Sequence, residues 1–294
     1  MTIPSFEQLK YGLKFIVRLT IIVLLICKTS FPQRQRSDRD EYRKSNRRDT
    51  RIDNENEVMV STALGKVVGL RNGSVDWFMG IPYAEPPINS LRFRPSKPKK
   101  PWYPQILEAF RFSPECLQSQ SLSTSDGNDE KNQNEDCLYL NVWRPTGTTF
   151  EARLPVLFWI YGGAFLHGAS SRPEYIGDRL AARDVIVVSI NYRLGALGFL
   201  VSIPDGLYGN YGLHDQKVAM QWVQDHIQDF GGDPDRVTLF GESAGAMSIG
   251  LHLLDQHKVV EKHRQTRLSF NTRPPPPSML FQAVILQSNP LGYK

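Results

Sequence analysis

The chain has 294 residues, 40% hydrophobic and 22% charged, an ordinary globular composition that excludes wholesale disorder, a collagen-like repeat and a polytopic membrane protein. Its formal charge is +5, yet residues 1–52 hold 12 basic and 5 acidic side chains while the remainder holds 23 and 25. The basic balance is thus a property of the amino-terminal segment, and the rest of the chain lacks the positive surface that nucleic acid requires.

Lys10, Lys14 and Arg18 precede an apolar run over residues 19–27, closed by Lys28. A positive region followed by an apolar one is the pattern of a secretory signal. Even counted from Phe15 to Cys27, the stretch contains Arg18 and falls short of the roughly 20 residues that span a bilayer. No small-residue cleavage site follows Cys27, so residues 1–30 read as a signal peptide or an uncleaved signal anchor, residues 15–27 being the membrane tether in the second case. Residues 31–52 carry eight basic and four acidic side chains and almost nothing apolar. Such a segment cannot offset its ordering entropy by burial, so residues 31–56 are expected to form a solvated basic linker. The reading places the protein in the secretory pathway, secreted or held at a membrane.

Cysteine usage agrees with export. Cys27 lies in the targeting segment, and Cys116 and Cys137 flank a polar loop. Without a CxxC pattern, either a structural bridge or two unpaired thiols fits; a bridge here would contribute roughly 3 kcal/mol. Asn72-Gly73-Ser74 is a glycosylation sequon.

Residues 57–294 read as one folded domain. Short apolar runs broken by Gly65, Gly69 and Asn72-Gly73 predict an antiparallel meander over residues 58–79. Continuous apolar runs at residues 154–161 and 184–190 predict strands covered on both faces, and residues 138–143, 237–240 and 283–286 are further strand candidates. Ala219, Trp222, Val223, Ile227 and Phe230 recur at helix-face spacing, with Asp215 expected as an acid in that helix's first turn and Gly231-Gly232 as its stop. A second helix is predicted over residues 244–254. Strands alternating with helices give an α/β fold with a mostly parallel central sheet.

The chemistry concentrates in Gly241-Glu242-Ser243-Ala244-Gly245, between a predicted strand and a predicted helix. A serine on so sharp a turn is strained and exposed, and glycines two positions to either side avoid clashes: this is a nucleophile elbow. Acyl transfer also needs donors for the developing oxyanion. Tyr161-Gly162-Gly163-Ala164-Phe165 follows a predicted strand, and the amides of Gly163, Ala164 and Ala244 are assigned as the oxyanion hole, with Ser243 as nucleophile.

These motifs do not stand alone. Phe78 to Ala84 (FMGIPYA), Leu91-Arg92-Phe93, Glu135 to Val142 (EDCLYLNV), the Gly162-Gly163 turn, Asn191 to Gly195 (NYRLG), Gly209-Asn210, Phe230 to Pro234 (FGGDP) and the elbow together resemble the type-B carboxylesterases, the α/β-hydrolases that include the cholinesterases. The resemblance runs from about Val58 to Asn289 and implies hydrolysis of small-molecule carboxylic esters through a Ser243 acyl-enzyme, without metal or cofactor. It also implies a Cys116–Cys137 disulfide.

Departures from the family pattern carry expectations of their own. No aromatic residue lies between Leu117 and Asp136, where cholinesterases place the tryptophan that binds quaternary ammonium, which argues against choline esters. Asn89 and Asn289 replace usual glycines, and an added segment over residues 255–278, with His257, His263 and Pro274 to Pro277, lengthens a normally short connection as an inserted loop whose proline run is expected to be extended and solvated. The order Ser, acid, His places both triad partners after the nucleophile, yet only 51 residues follow Ser243. His252, His257 and His263 match neither a base nor a zinc ligand pattern, and His167, His214 and His226 are expected to pack or face solvent. The chain thus resembles the amino-terminal half of an esterase, incomplete at its carboxyl end. It is expected to fold poorly and turn over little by itself, while an inactive esterase-like binding or adhesion protein is the competing reading.

Overall fold

The chain divides into two units, Met1–Arg51 and Ile52–Lys294. The computed structural model describes residues 56–119, 132–269 and 279–289, all in the second unit, with side chains of 262–269 left out. The signal or anchor (residues 1–30, with the tether at 15–27), nearly all of the linker and Pro274 to Pro277 lie outside the described residues.

In chain order the strands and helices are β1 (Glu57–Thr62), β2 (Gly65–Asn72), β3 (Val75–Pro82), β4 (Ile106–Glu108), β5 (Glu115–Cys116), β6 (Gln133–Asn134), β7 (Tyr139–Pro145) and β8 (Leu154–Ile160). There follow α1 (Asp178–Ala181), β9 (Ile186–Ile190), α2 (Gly195–Phe199), β10 (Val201–Ser202), β11 (Leu207–Tyr208) and α3 (Tyr211–His226). The last are β12 (Gly232–Glu242), α4 (Ala244–Ser269) and β13 (Ala283–Gln287). Among the described residues the main sheet is nine-stranded, in the order β1-β2-β3-β7-β9-β8-β12-β13, with β4 beside β2.

The predicted meander is β1, β2 and β3, antiparallel throughout. Antiparallel pairing continues through β7, which meets both β3 and β9 in that sense, so the sheet is mixed. Its parallel pairings are β9-β8-β12-β13 and β4 beside β2. Every residue of β9 is buried, as its unbroken apolar run requires.

Two crossovers decide where a ligand can sit. From β8 the chain steps to β9 on one side, and from β12 it steps to β13 on the other. Right-handed connections leave β8 and β12 toward opposite faces, which makes the space beyond their carboxyl ends the expected ligand crevice of such a sheet.

The core lies between sheet and helices. Phe78, Phe158, Ile160, Val188 and Phe230 are fully buried, and Phe78 meets Phe230 edge to face at 5.1 Å. Ala219, Trp222, Val223, Ile227 and Phe230 are all buried, as their spacing predicts. Gly231 adopts φ 85° and ends the helical segment, whereas Gly232 already belongs to β12.

Two expectations are corrected. Asp215 is not in the first turn, because α3 begins at Tyr211; it is fully buried and accepts hydrogen bonds from Arg193 Nε (2.8 Å), Nη2 (2.7 Å) and backbone N–H (3.1 Å). The helix predicted to stop at Leu254 runs on to Ser269, so much of the added segment is helical rather than loop. Residues 255–269 contain neither proline nor glycine, and Lys217 Nζ meets Asp255 Oδ2 at 2.7 Å. Gln256 also bonds Leu280 N–H and Phe281 C=O, seating the helix against the approach to β13.

Candidate active site

Register brings the motifs at residues 241–245 and 161–165 together. β12 pairs with β8 so that Gly241 stands opposite Ile160, and the segments leaving both strands emerge side by side at the crevice. Ser243 sits immediately after β12, half-buried, at φ 52°. That left-handed conformation is strained for a residue with a side chain and is held by its surroundings. Ser243 N–H donates to Gln287 C=O of β13 at 2.9 Å, and Met247 N–H donates to Ser243 C=O at 2.9 Å as α4 begins.

The elbow glycines are required by contact. A Cβ on Gly245 would lie 2.0 Å from Ile160 O, and one on Gly241 would lie 2.7 Å from the same oxygen. Gly162 is equally confined: its Cβ would fall 2.6 Å from Glu242 O and 3.1 Å from Ser243 Cβ. The glycine turn after β8 therefore packs directly against Ser243.

That turn curls on itself. Gly163 C=O accepts the amides of Leu166 (2.9 Å) and His167 (3.2 Å), and Gly163, Ala164 and Phe165 all have positive φ. Ala164 is exposed, whereas Ala244 is buried in the first turn of α4. Tyr161, which opens the turn, stacks on Tyr192 at 4.6 Å, and each hydroxyl bonds the other's main-chain carbonyl. Burial raises the pKa of both phenols, so they remain neutral donors. Beyond the turn, Ser170 N–H donates to the buried Asn191 Oδ1 at 2.9 Å, and Asn141 Nδ2 donates to Ser170 Oγ at 3.0 Å.

Behind the serine, α4 leans on α3 through a directional chain. His252 Nε2 meets Gln216 Oε1 at 2.8 Å, Gln216 Nε2 donates to Ser248 Oγ at 3.1 Å, and Ser248 Oγ donates to Ala244 C=O at 2.9 Å. Burial lowers the His252 pKa to about 4, so it is neutral at physiological pH and serves packing. Of the other histidines, His214 Nδ1 pairs with Ser96 Oγ at 3.0 Å and His257 is exposed. Among the described residues no group of His, Cys, Asp and Glu is arranged to hold a metal ion.

The sequence-predicted residues therefore fall in three places. Ser243, Gly163, Ala164 and Ala244 gather at the crevice. Cys116 and Cys137 are joined as a disulfide at the base of the polar loop, and Asn72 is exposed at the β2–β3 turn. The expected pairing of the thiols is thus observed. Asn89, in place of a usual glycine, has φ 51°, a conformation asparagine tolerates. Sequence reasoning missed Gln118, whose side chain bonds the Gly168 end of the glycine turn; nothing local distinguishes it from the polar residues beside it.

The carboxylesterase family model matches residues 56–271. Fumonisin B1 esterase of Sphingopyxis macrogoltabida is 46% identical over 198 residues, covering 65% of this chain and 36% of that protein. Acetylcholinesterase of Danio rerio is 47% identical over 213 residues, covering 68% and 33%. Among solved structures, a thermophilic PNB esterase matches with TM-score 0.62 and 46% identity over 66% of this chain and 40% of its own. The chain thus spans about a third of the length of the curated relatives it matches. The family model covers well over half of the chain, and this chain belongs to the carboxylesterase family.

Proposed function

We propose that the protein is a serine carboxylic ester hydrolase. The observation that carries this reading is the half-exposed Ser243 at φ 52°, packed against the Gly162 turn at the crevice between β8 and β12. Ser243 Oγ attacks the ester carbonyl carbon as its proton passes to a general base, and the carbonyl π electrons move to oxygen. The amides of Gly163, Ala164 and Ala244 receive that oxyanion. Collapse of the adduct expels the alcohol, and water then releases the acid from the acyl-enzyme. The names of the relatives, a fumonisin esterase and an acetylcholinesterase, support small-molecule esters as the substrate class.

A fluorophosphonate probe tests the reading, because covalent capture requires an activated serine. The expected result is one label per chain, mapped by mass spectrometry to the peptide containing Ser243. A folded full-length protein that stays unlabelled would instead favour the inactive binding-protein alternative.

Export belongs to the same proposal, secreted or tethered through residues 15–27. The disulfide is of a kind that persists in oxidising compartments, and Asn72 stands exposed at a hairpin turn, where an oligosaccharide fits without disturbing the sheet. Expressed through a eukaryotic secretory pathway, the protein is expected to carry an endoglycosidase-sensitive glycan at this sequon. In Asn72→Gln the corresponding gel shift should vanish; an unchanged shift would remove Asn72 as the acceptor.

A further inference from the structure

Gln118 stands two residues after Cys116, and its side-chain amide reaches across 50 positions to Gly168. Oε1 accepts the Gly168 N–H at 2.8 Å, and Nε2 donates to Gly168 C=O at 3.0 Å. One side chain therefore satisfies both main-chain groups of one residue. Nε2 also reaches Cys116 C=O at 3.1 Å and Glu115 Oε2 at 3.3 Å, while the Gln118 N–H donates to Gln133 Oε1 at 3.1 Å. The clamp is thereby rooted in the β5–β6 pair and the disulfide.

Gly168 closes the glycine turn. At its φ of 131° a Cβ would lie 2.5 Å from the Tyr161 ring and 2.9 Å from Gly162 O, so Gly168 is folded back onto the residues that open the turn. The Tyr161 end is secured by β8 and by stacking on Tyr192. The Gly168 end is secured by the side chain of Gln118. With both ends held, the Gly163 and Ala164 peptide planes lie in a short loop that has few alternative conformations.

We propose that Gln118 is a positioning residue for ester hydrolysis, aligning the oxyanion-binding turn from the disulfide-anchored segment. The inference rests on the serine-hydrolase reading above. Removing an oxyanion donor lowers kcat by about 10²–10³, and misaligning donors that remain present forfeits part of that, about 10–100-fold. The loss falls on kcat rather than KM, because the oxyanion exists only beyond the ground state.

The test compares Gln118→Met, which keeps length and volume without the hydrogen bonds, with Gln118→Glu, which keeps only the acceptor for Gly168 N–H. Both are made in the full-length protein and active-site titrated. For p-nitrophenyl acetate, kcat of Gln118→Met is expected to fall about 10–100-fold with KM nearly unchanged, and Gln118→Glu to fall at least as far, because a carboxylate oxygen then faces Gly168 C=O, Cys116 C=O and Glu115 Oε2 in place of the Nε2 donor. Affinity for a trifluoromethyl ketone, whose adduct carries the oxyanion, should fall in parallel with kcat/KM. A purely structural role would lower the melting temperature and leave titrated kcat and ketone affinity unchanged; that result overturns the inference. If Gln118→Met does not fold, the same comparison between wild type and Gln118→Glu decides. Wild-type protein that neither labels with fluorophosphonate nor turns over would remove the esterase reading, and this inference with it.

Discussion

Ser243→Ala is expected to lower kcat for a simple aryl ester by about six orders of magnitude and to abolish fluorophosphonate labelling, while leaving the fold intact. The size of the loss follows from the division of labour. Without the hydroxyl no acyl-enzyme forms, and only the oxyanion amides and substrate binding remain, a residual acceleration of about 10³–10⁴ over water. The fold should survive because alanine keeps the Cβ and adds nothing to the crevice. The φ of 52° is imposed by Gly241, Gly245 and the bond from Ser243 N–H to Gln287, none of which uses the hydroxyl. Single-turnover kinetics and thermal melting check the two halves separately. Unchanged turnover in Ser243→Ala would mean that ester hydrolysis takes place elsewhere.

The second large effect falls on stability. Asp215→Ala is expected to destabilise the protein by about 3–5 kcal/mol, because it strands a buried guanidinium. Arg193 is almost wholly buried, and Asp215 receives its Nε, its Nη2 and its backbone N–H. The pair ties the segment after β9 to α3, and the next residue, Gln216, holds Ser248 and His252 of the elbow helix. Loss of Asp215 should therefore lower the yield of labelled Ser243 along with the denaturation midpoint. Replacing both partners by apolar residues, as in Arg193→Met with Asp215→Leu, should recover much of the loss, since no unpaired charge then stays buried. Equal destabilisation in the single and double variants would show that the pair acts through packing alone.

The difference between these two residues bears on how far the sequence could be read. Ser243 is legible because the elbow is a local device. The clashes that demand glycine arise within a few residues of the serine and where β12 meets its neighbour β8, so spacing alone signals the conformation. The strands at 154–160 and 186–190 are legible for a similar reason, since burial on both faces leaves an uninterrupted apolar run. Asp215 misleads because an acid near the start of a helix has an ordinary explanation in the helix dipole. Its actual partner lies 22 residues earlier, beyond β11 and α2. The stop expected at Leu254 fails in the opposite sense. The added segment beyond it reads as an inserted loop, whereas the local composition permits helix and contacts with Lys217 and with residues near 280 support it.

Composition, glycine spacing and the alternation of apolar runs thus determined the α/β class, the meander and the strained turn at Ser243. The class and the meander follow from the burial of single strands, and the turn at Ser243 from a spacing of glycines that leaves room for close packing against β8. Tertiary structure alone decided that β7 runs antiparallel to β9, that Asp215 anchors Arg193 and that Gln118 clasps Gly168. In each of these cases the partner is distant in the chain, and only the closing of the sheet brings the two groups within hydrogen-bonding distance.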